Sequence, residues 1–182
     1  MRSQGQAIRY LALLRGINVG GKKVIAMQEL RRVFEDAGFG GVSTFIQSGN
    51  VFFESSEERE EVLQVRLEGH LHRALCYEVP VVLRTAAEVE GLVRSDPFAG
   101  RTPGPDIKWY AAFLQREPAR RPALPLSSPK GDMELFHLER RVAYVLSHRI
   151  AGRFGFPNNF VEEMLGVVAT TRNWNTVCRM VS

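Results

Sequence analysis

Along the first half of the chain the spacing of apolar residues alternates between strand and helix rhythm, and the order of the changes outlines a topology. Ile8–Leu14 is a short apolar run flanked by polar residues, which predicts a first strand. Met27, Leu30, Phe34 and Ala37 recur at helical spacing, and Gly38 follows as a left-handed stop. Val42–Gln47 and Asn50–Glu54 read as two strands joined by a Ser48-Gly49 hairpin turn. Ser55 and Glu58 have the spacing of a capping box before a helix whose stripe is Leu63, Leu67, Leu71 and Ala74. Val79–Leu83 closes the series as a fourth strand. The order β-α-β-β-α-β is that of the split βαβ, or ferredoxin-like, arrangement, so the predicted class is α+β.

That topology carries a spatial expectation. Strands one and two of a split βαβ run parallel with strand three between them, so their C-terminal ends share one sheet edge. The loop Arg15–Lys23 leaves one end and the Gln47–Asn50 turn lies at the other. With Gln47 opposite Asn50, one hairpin face holds Val42, Thr44, Ile46, Val51 and Phe53, toward the helices. The other face pairs Phe45 with Phe52, two rings that base stacking could use unless a second layer covers them.

The second half is less regular. Ala87–Val93 reads as a helix, Lys108–Leu114 as a strand, and residues 116–132, with four prolines, as an exposed connection. Met133–Leu138 and Val142–Ser147 form a hairpin across Glu139-Arg140. Asn159 and Glu162 have capping-box spacing before a helix that Gly166 stops. A last helix starts near Arg172, capped by Thr170 or Thr171, and docks through Trp174, Val177, Cys178 and Val181. The expected organisation is a ferredoxin-like half over residues 1–84 and a partly similar α+β half over 85–182.

Charge changes the picture more than composition does. Residues 1–25 carry five basic side chains and no acid, residues 26–100 carry seven and thirteen, and residues 140–182 carry six arginines against two glutamates. Basic ends that meet in space would make a positive face attractive to anions. No apolar run approaches the roughly 18 residues of a membrane span. Ile8–Leu14 is too short and badly flanked for a signal peptide, residues 1–6 read as a terminal tip, and two isolated cysteines suit a reducing compartment, so the expected location is the cytoplasm.

The loop after the first strand concentrates the candidate chemistry. Arg15, Asn18, Gly20, Gly21 and Lys22 combine positive charge with backbone N–H groups that glycine makes approachable. Gln47, Ser48 and Asn50 would face them across the sheet edge. Arg172 and Asn173 are added from the tail, because a cation in the first turn of a helix opposes the dipole unless an anion binds there. Gly16-x-x-x-x-Gly21-Lys22-Lys23 is one residue from a P-loop, but lacks the hydroxyl at its last position, and Val24 and Ile25 separate it from the helix, so NTPase chemistry is rejected. No catalytic constellation, metal-ligand spacing or cofactor motif is recognised, and Ser48 has no partnered histidine or acid.

Five segments also carry a resemblance: Leu-Leu-Arg-Gly-Ile-Asn-Val-Gly-Gly-Lys at 13–22, Ile-Gln-Ser-Gly-Asn-Val at 46–51, Asp-Pro-Phe at 96–98, Phe-Pro-Asn-Asn-Phe-Val-Glu at 156–162 and Ala-Thr-Thr-Arg-Asn-Trp-Asn-Thr-Val at 169–177. Together they resemble the signatures of a bacterial family known as domain of unknown function 1697. The resemblance implies an α+β protein with ferredoxin-like halves and supplies no catalytic residues. Lys23, Val24 and Ala26 stand where that family usually shows Asn, Lys and Pro.

The functional expectations are three. The first is binding of a phosphorylated small molecule or nucleotide at the sheet edge. The second is binding of nucleic acid through a basic face. The third is that the motifs are purely structural, with amide side chains satisfying turn backbones. An enzyme working by acid–base chemistry is placed behind these, because the cluster offers arginines and amides rather than carboxylates or histidines.

Overall fold

The computed structural model describes residues 7–19, 21 and 23–182. Residues 1–6, read above as a terminal tip, and the site candidates Gly20 and Lys22 lie outside the described residues. The chain divides into two compact units between Val89 and Glu90.

In the first unit, β1 (Ile8–Leu14), α1 (Met27–Asp36), β2 (Gly40–Phe45), β3 (Asn50–Ser55), α2 (Glu60–Leu75) and β4 (Val81–Thr85) follow the expected order. The sheet runs β2-β3-β1-β4 with every neighbour antiparallel, which is the ferredoxin-like order. Tyr10, Ala12, Leu14, Val51, Phe53, Val81 and Leu83 point to the helices and meet Leu30 and Phe34 of α1 and Leu63, Leu67 and Leu71 of α2. Tyr10 and Phe34 both contact the Phe53 ring, at 5.6 Å between centroids. As expected, Gly38 adopts φ +84° just after α1, and its N–H returns to the Glu35 carbonyl at 2.9 Å.

Three local expectations fail here. Strand β2 stops at Phe45, which pairs with Asn50, so the turn is Ile46–Gly49 rather than Ser48-Gly49. The slip is two residues, so Phe45 and Phe52 still share a face, but Ser43 now stands opposite Phe52. Ile46 leaves the core face and is exposed. Phe52 is buried and Phe45 half-buried, so the pair is no open stacking surface. The Ser55–Glu58 capping box does not form: Ser55 Oγ accepts from the Glu57 N–H at 3.1 Å, and α2 starts after Arg59 with no side-chain cap. Ala74 is exposed, and the partly buried Leu75 packs on the core instead.

The helix α3 (Ala86–Ser95) contains the division between the units. The second unit then holds β5 (Ile107–Leu114), β6 (Leu126–Ser127), β7 (Met133–Glu139), β8 (Val142–Ile150), β9 (Arg153–Phe154), α4 (Asn158–Leu165), β10 (Ala169–Asn173) and α5 (Trp174–Met180). Its sheet order is β10-β5-β8-β7-β6, with β9 on β8. Taken without β6 and β9, the four long strands repeat the first unit's order, β10 for β4, β5 for β1, β8 for β3 and β7 for β2. Two hydrogen bonds repeat with it. Leu14 and Arg15 donate to the carbonyls of Gly49 and Pro80 at 2.8 and 2.9 Å, and Leu114 and Gln115 donate to those of Arg141 and Val168 at the same distances. The crossover helix is absent from the second copy: the Pro-rich connection takes its place. That connection is not wholly exposed, since Pro118 and Ser128 are buried and Leu126–Ser127 pairs with β7.

Helix α4 packs Phe160, Val161 and Leu165 on one face of this sheet, against Tyr110, Ala112, Leu135 and Val145. On the other face Phe98 stacks on Trp109 at 4.7 Å and meets Tyr144 and Trp174. The hairpin turn is Arg140-Arg141 rather than Glu139-Arg140, because Glu139 pairs with Val142. The Asn159 cap is also overturned: α4 begins at Asn158 after Pro157 with no side-chain cap, although Gly166 does end it in the left-handed region. The last helix starts at Trp174 with Asn173 as its cap, not with a threonine, and Met180 joins its buried face.

Candidate functional site

The described first-unit candidates meet at the edge where β1 ends and β2 turns into β3. Asn18 has φ +56°, a left-handed conformation that asparagine tolerates better than most residues. Its Oδ1 accepts from the Ile25 N–H at 2.8 Å, and its Nδ2 donates to the Ile25 carbonyl at 3.0 Å, closing the loop on itself. The same Nδ2 donates to the Gln47 carbonyl at 3.0 Å. One amide thus joins the loop to the turn, as the topology requires. On the other side, Asn50 is fully buried and its Nδ2 donates to the Phe45 carbonyl at 3.1 Å and to Ser48 Oγ at 2.8 Å. It closes the four-residue turn from within.

Arg15 is half-buried at the end of β1 and tied by its N–H to Pro80. Lys23 Nζ donates to the Glu78 carbonyl at 2.9 Å and lies 5.0 Å from the centre of the Tyr77 ring. Gln47 is exposed and Ser48 half-buried. The glycines differ in kind. A Cβ on Gly49 would come within 3.0 Å of Leu14 Cβ and 3.2 Å of Ile17 Cβ, whereas Gly16 and Gly21 have positive φ with no atom within 4 Å of that position.

Residues 8–144 match the family model described as a protein of unknown function (DUF1697). The chain belongs to the DUF1697 family. No curated protein matches this DUF1697 chain. It is similar in fold to the conserved bacterial protein SP0830 from Streptococcus pneumoniae, at 21% identity and a TM-score of 0.66, over 97% of this chain and 98% of that one. At that identity the likeness speaks for the fold alone.

The tail candidates of this DUF1697 protein sit in the second unit and differ from expectation. Arg172 lies in strand β10, not in a helical first turn, and is 8% exposed. Its Nη1 donates to Thr170 Oγ1 at 2.8 Å and to the Thr171 carbonyl at 3.0 Å, and burial pulls the guanidinium pKa down to about 10. The argument from an unfavourable helix dipole therefore falls away. Asn173 uses its side-chain oxygen to cap α5, accepting from the Asn175 N–H at 3.0 Å. Among the described residues no three His, Cys, Asp or Glu side chains group to hold a metal ion, and no helix is long and apolar enough to cross a membrane.

A further concentration of charge, absent from the sequence expectations, lies at the far end of β8. Lys108, Lys130, Arg149 and Arg153 are all exposed there. The signal that could have found it is the interleaving of bases and rings in Arg149–Phe156, where Arg149, Arg153, Phe154 and Phe156 crowd into eight residues.

Proposed function

We propose that the first-unit sheet edge binds the phosphate group of a small phosphorylated molecule or nucleotide. The observation that carries this reading is the way the edge disposes of its own negative ends. The carbonyls of Gly49, Pro80 and Lys23 accept from the backbone N–H groups of Leu14, Arg15 and Asn18. Those of Ile25, Gln47 and Phe45 accept from the amides of Asn18 and Asn50. Carbonyls engaged within the protein repel an incoming anion less than open ones, and Arg15, Lys23 and the uncrowded Gly16 and Gly21 lie at the same edge. Asn18 and Asn50 are scaffold in this reading, and the contacts come from Arg15, the glycine backbones, Gln47 and Ser48.

The reading in which the motif only holds the fold is favoured by one observation, the full use of both amides within the loop and turn. Thermal-shift titration with inorganic phosphate, nucleotides and sugar phosphates separates the two. Saturation at a hundredfold excess over the dissociation constant stabilises by about 2.7 kcal/mol, a rise of roughly 5–10 °C. Gly16→Asn and Gly21→Asn keep a residue that tolerates positive φ, so they are expected to leave the unliganded melting temperature within a degree or two and to abolish the shift. No shift with any phosphate compound overturns the proposal and leaves the structural reading.

A further inference from the structure

The second unit carries a cationic and aromatic ridge that the sheet-edge reading does not involve. Strand β9 folds back on β8 through Ala151-Gly152, both at positive φ, so that Phe154 pairs with Arg149. Phe154 then lies against two cations, with Lys108 Nζ 4.4 Å and the Arg149 guanidinium 5.0 Å from its ring centre. The segment continues over Gly155, whose carbonyl accepts from Ser147 Oγ at 2.8 Å. A Cβ at Gly155 would lie 2.5 Å from Asp132 Oδ2, so glycine is what lets the segment sit this close. Two residues beyond Phe154 comes Phe156, 57% exposed, held edge-on against Tyr110 at 5.8 Å.

Between these rings and the 128–133 turn is a pocket of about 200 Å³, lined by Lys130, Asp132, Ile150, Arg153, Phe154 and Gly155. Asp132 is occupied by Ser128 Oγ at 2.6 Å, and Arg149 shares its charge with Asp106 at 3.3 Å. Lys108, Lys130 and Arg153 make no ion pair among the described residues. The ridge thus combines three cations outside ion pairs, against the one Asp132 carboxylate in the recess, with an exposed ring, an exposed Ile150 and a recess too small for a drug-sized ligand.

We infer that this ridge binds single-stranded nucleic acid. An acidic polypeptide would satisfy the cations but has no use for the exposed ring, and a duplex would satisfy the cations while hiding its base faces. A single strand uses both, with phosphates on Lys108, Lys130 and Arg153, a base on Phe156, and a neighbouring base or sugar at the recess. Phe154 and Phe156 both lie against β5, Phe154 by Lys108 and Phe156 by Tyr110 two residues on, so the recess and the exposed ring are neighbours along one strand.

Fluorescence anisotropy with a labelled oligothymidine at stepped salt tests the inference. Three phosphate contacts on a single strand give a log–log salt slope near −2.1, or about 20-fold weaker binding from 50 to 200 mM salt. Arg153→Gln is expected to reduce the slope by about 0.7. Phe156→Ala is expected to weaken single-strand binding about 5- to 150-fold without changing the slope. Both side chains are exposed, so circular dichroism and melting temperature should match wild type. Absent binding at low salt overturns the inference. So does a Phe156→Ala protein with unchanged affinity, an Arg153→Gln protein with an unchanged slope, or polyglutamate or duplex binding as tightly as the oligothymidine. Arg15→Gln should leave oligothymidine binding intact, which separates this surface from the sheet-edge site.

Discussion

Removing the Asn18 side chain should cost far more than an ordinary loop substitution. Asn18→Ala loses two hydrogen bonds to Ile25, a buried residue, and one to the exposed Gln47 carbonyl. The Ile25 pair is worth about 2 kcal/mol at roughly 1 kcal/mol each, and the exposed bond at most a few tenths. Alanine at φ +56° adds about 1 kcal/mol that asparagine does not incur. The expected loss is about 3 kcal/mol for Asn18→Ala and about 2 kcal/mol for Asn18→Gly, which removes the bonds but not the conformational freedom. Asn18→Asp keeps the acceptor for Ile25 N–H but turns a carboxylate toward two carbonyls, so it should fall near the glycine variant at neutral pH and recover in acid.

Urea unfolding followed by far-UV circular dichroism measures the set. Both tryptophans, Trp109 and Trp174, lie in the second unit, so their fluorescence followed in parallel reports whether the loss is confined to the first. Hydrogen exchange at the Ile25 amide adds a local readout, with protection lost in the alanine and glycine variants and retained in Asn18→Asp. Losses under about 0.5 kcal/mol in all three variants, or equal losses for alanine and glycine, would refute the account of Asn18 as the latch between loop and turn.

Gly49→Ala should destabilise by about 2–4 kcal/mol in thermal melts, since its Cβ would press on Leu14 and Ile17 at φ +70°. Ile46→Asn should do the reverse: a β-branched residue at φ +50° with 43% exposure gives little packing for its strain, so a gain of about 1 kcal/mol, or a rise of roughly 2–4 °C, is expected. Tyr10 provides a pH test. Burial first, then Glu60, Glu58, Glu57 and Glu88, raise its phenol pKa above the ordinary tyrosine value. The folded state therefore holds the proton more tightly, so the stability it contributes is complete below the unfolded value and is lost as pH rises through the folded one. Wild type should lose stability above about pH 10 faster than Tyr10→Phe, while at neutral pH the variant should be weaker by about 1 kcal/mol for its bond to the Glu57 carbonyl.

Where the sequence was legible, apolar spacing and a steric stop agreed. The stripe of α1, Leu63, Leu67 and Leu71 of α2, the apolar run of β1, and the stops at Gly38 and Gly166 all depend on one residue type doing one thing. The errors fall where a residue's letter suits two conformations. Ile46 continues the hairpin's alternation, so it reads as strand, yet it takes φ +50° as the first of the four turn residues Ile46–Gly49. Ser55 and Asn159 have capping spacing, but local bonding took Ser55 into a tight turn and placed Asn159 inside α4 rather than before it. Arg172 has the letter of a first-turn cation awaiting an anion, whereas β-branched Thr170 and Thr171 extend a strand that carries it inside.

Three glycines show why the candidate site was only half legible. Gly16 and Gly21 of the first loop and Gly49 of the hairpin turn look alike as letters. Gly49 is explained by packing, because Leu14 and Ile17 fill the space a side chain would need. Gly16 and Gly21 have no such neighbour, so only their φ of +76° and +71° accounts for them, and asparagine meets that demand at lower entropic cost, as Asn18 does a few residues away. Glycine at two open, polar positions beside Arg15 therefore has no return in stability. On the proposed reading, that bare backbone is what a phosphate would meet, and Gly16→Asn and Gly21→Asn, which fill the space at little cost in stability, decide between a binding edge and a turn that merely holds two strands together.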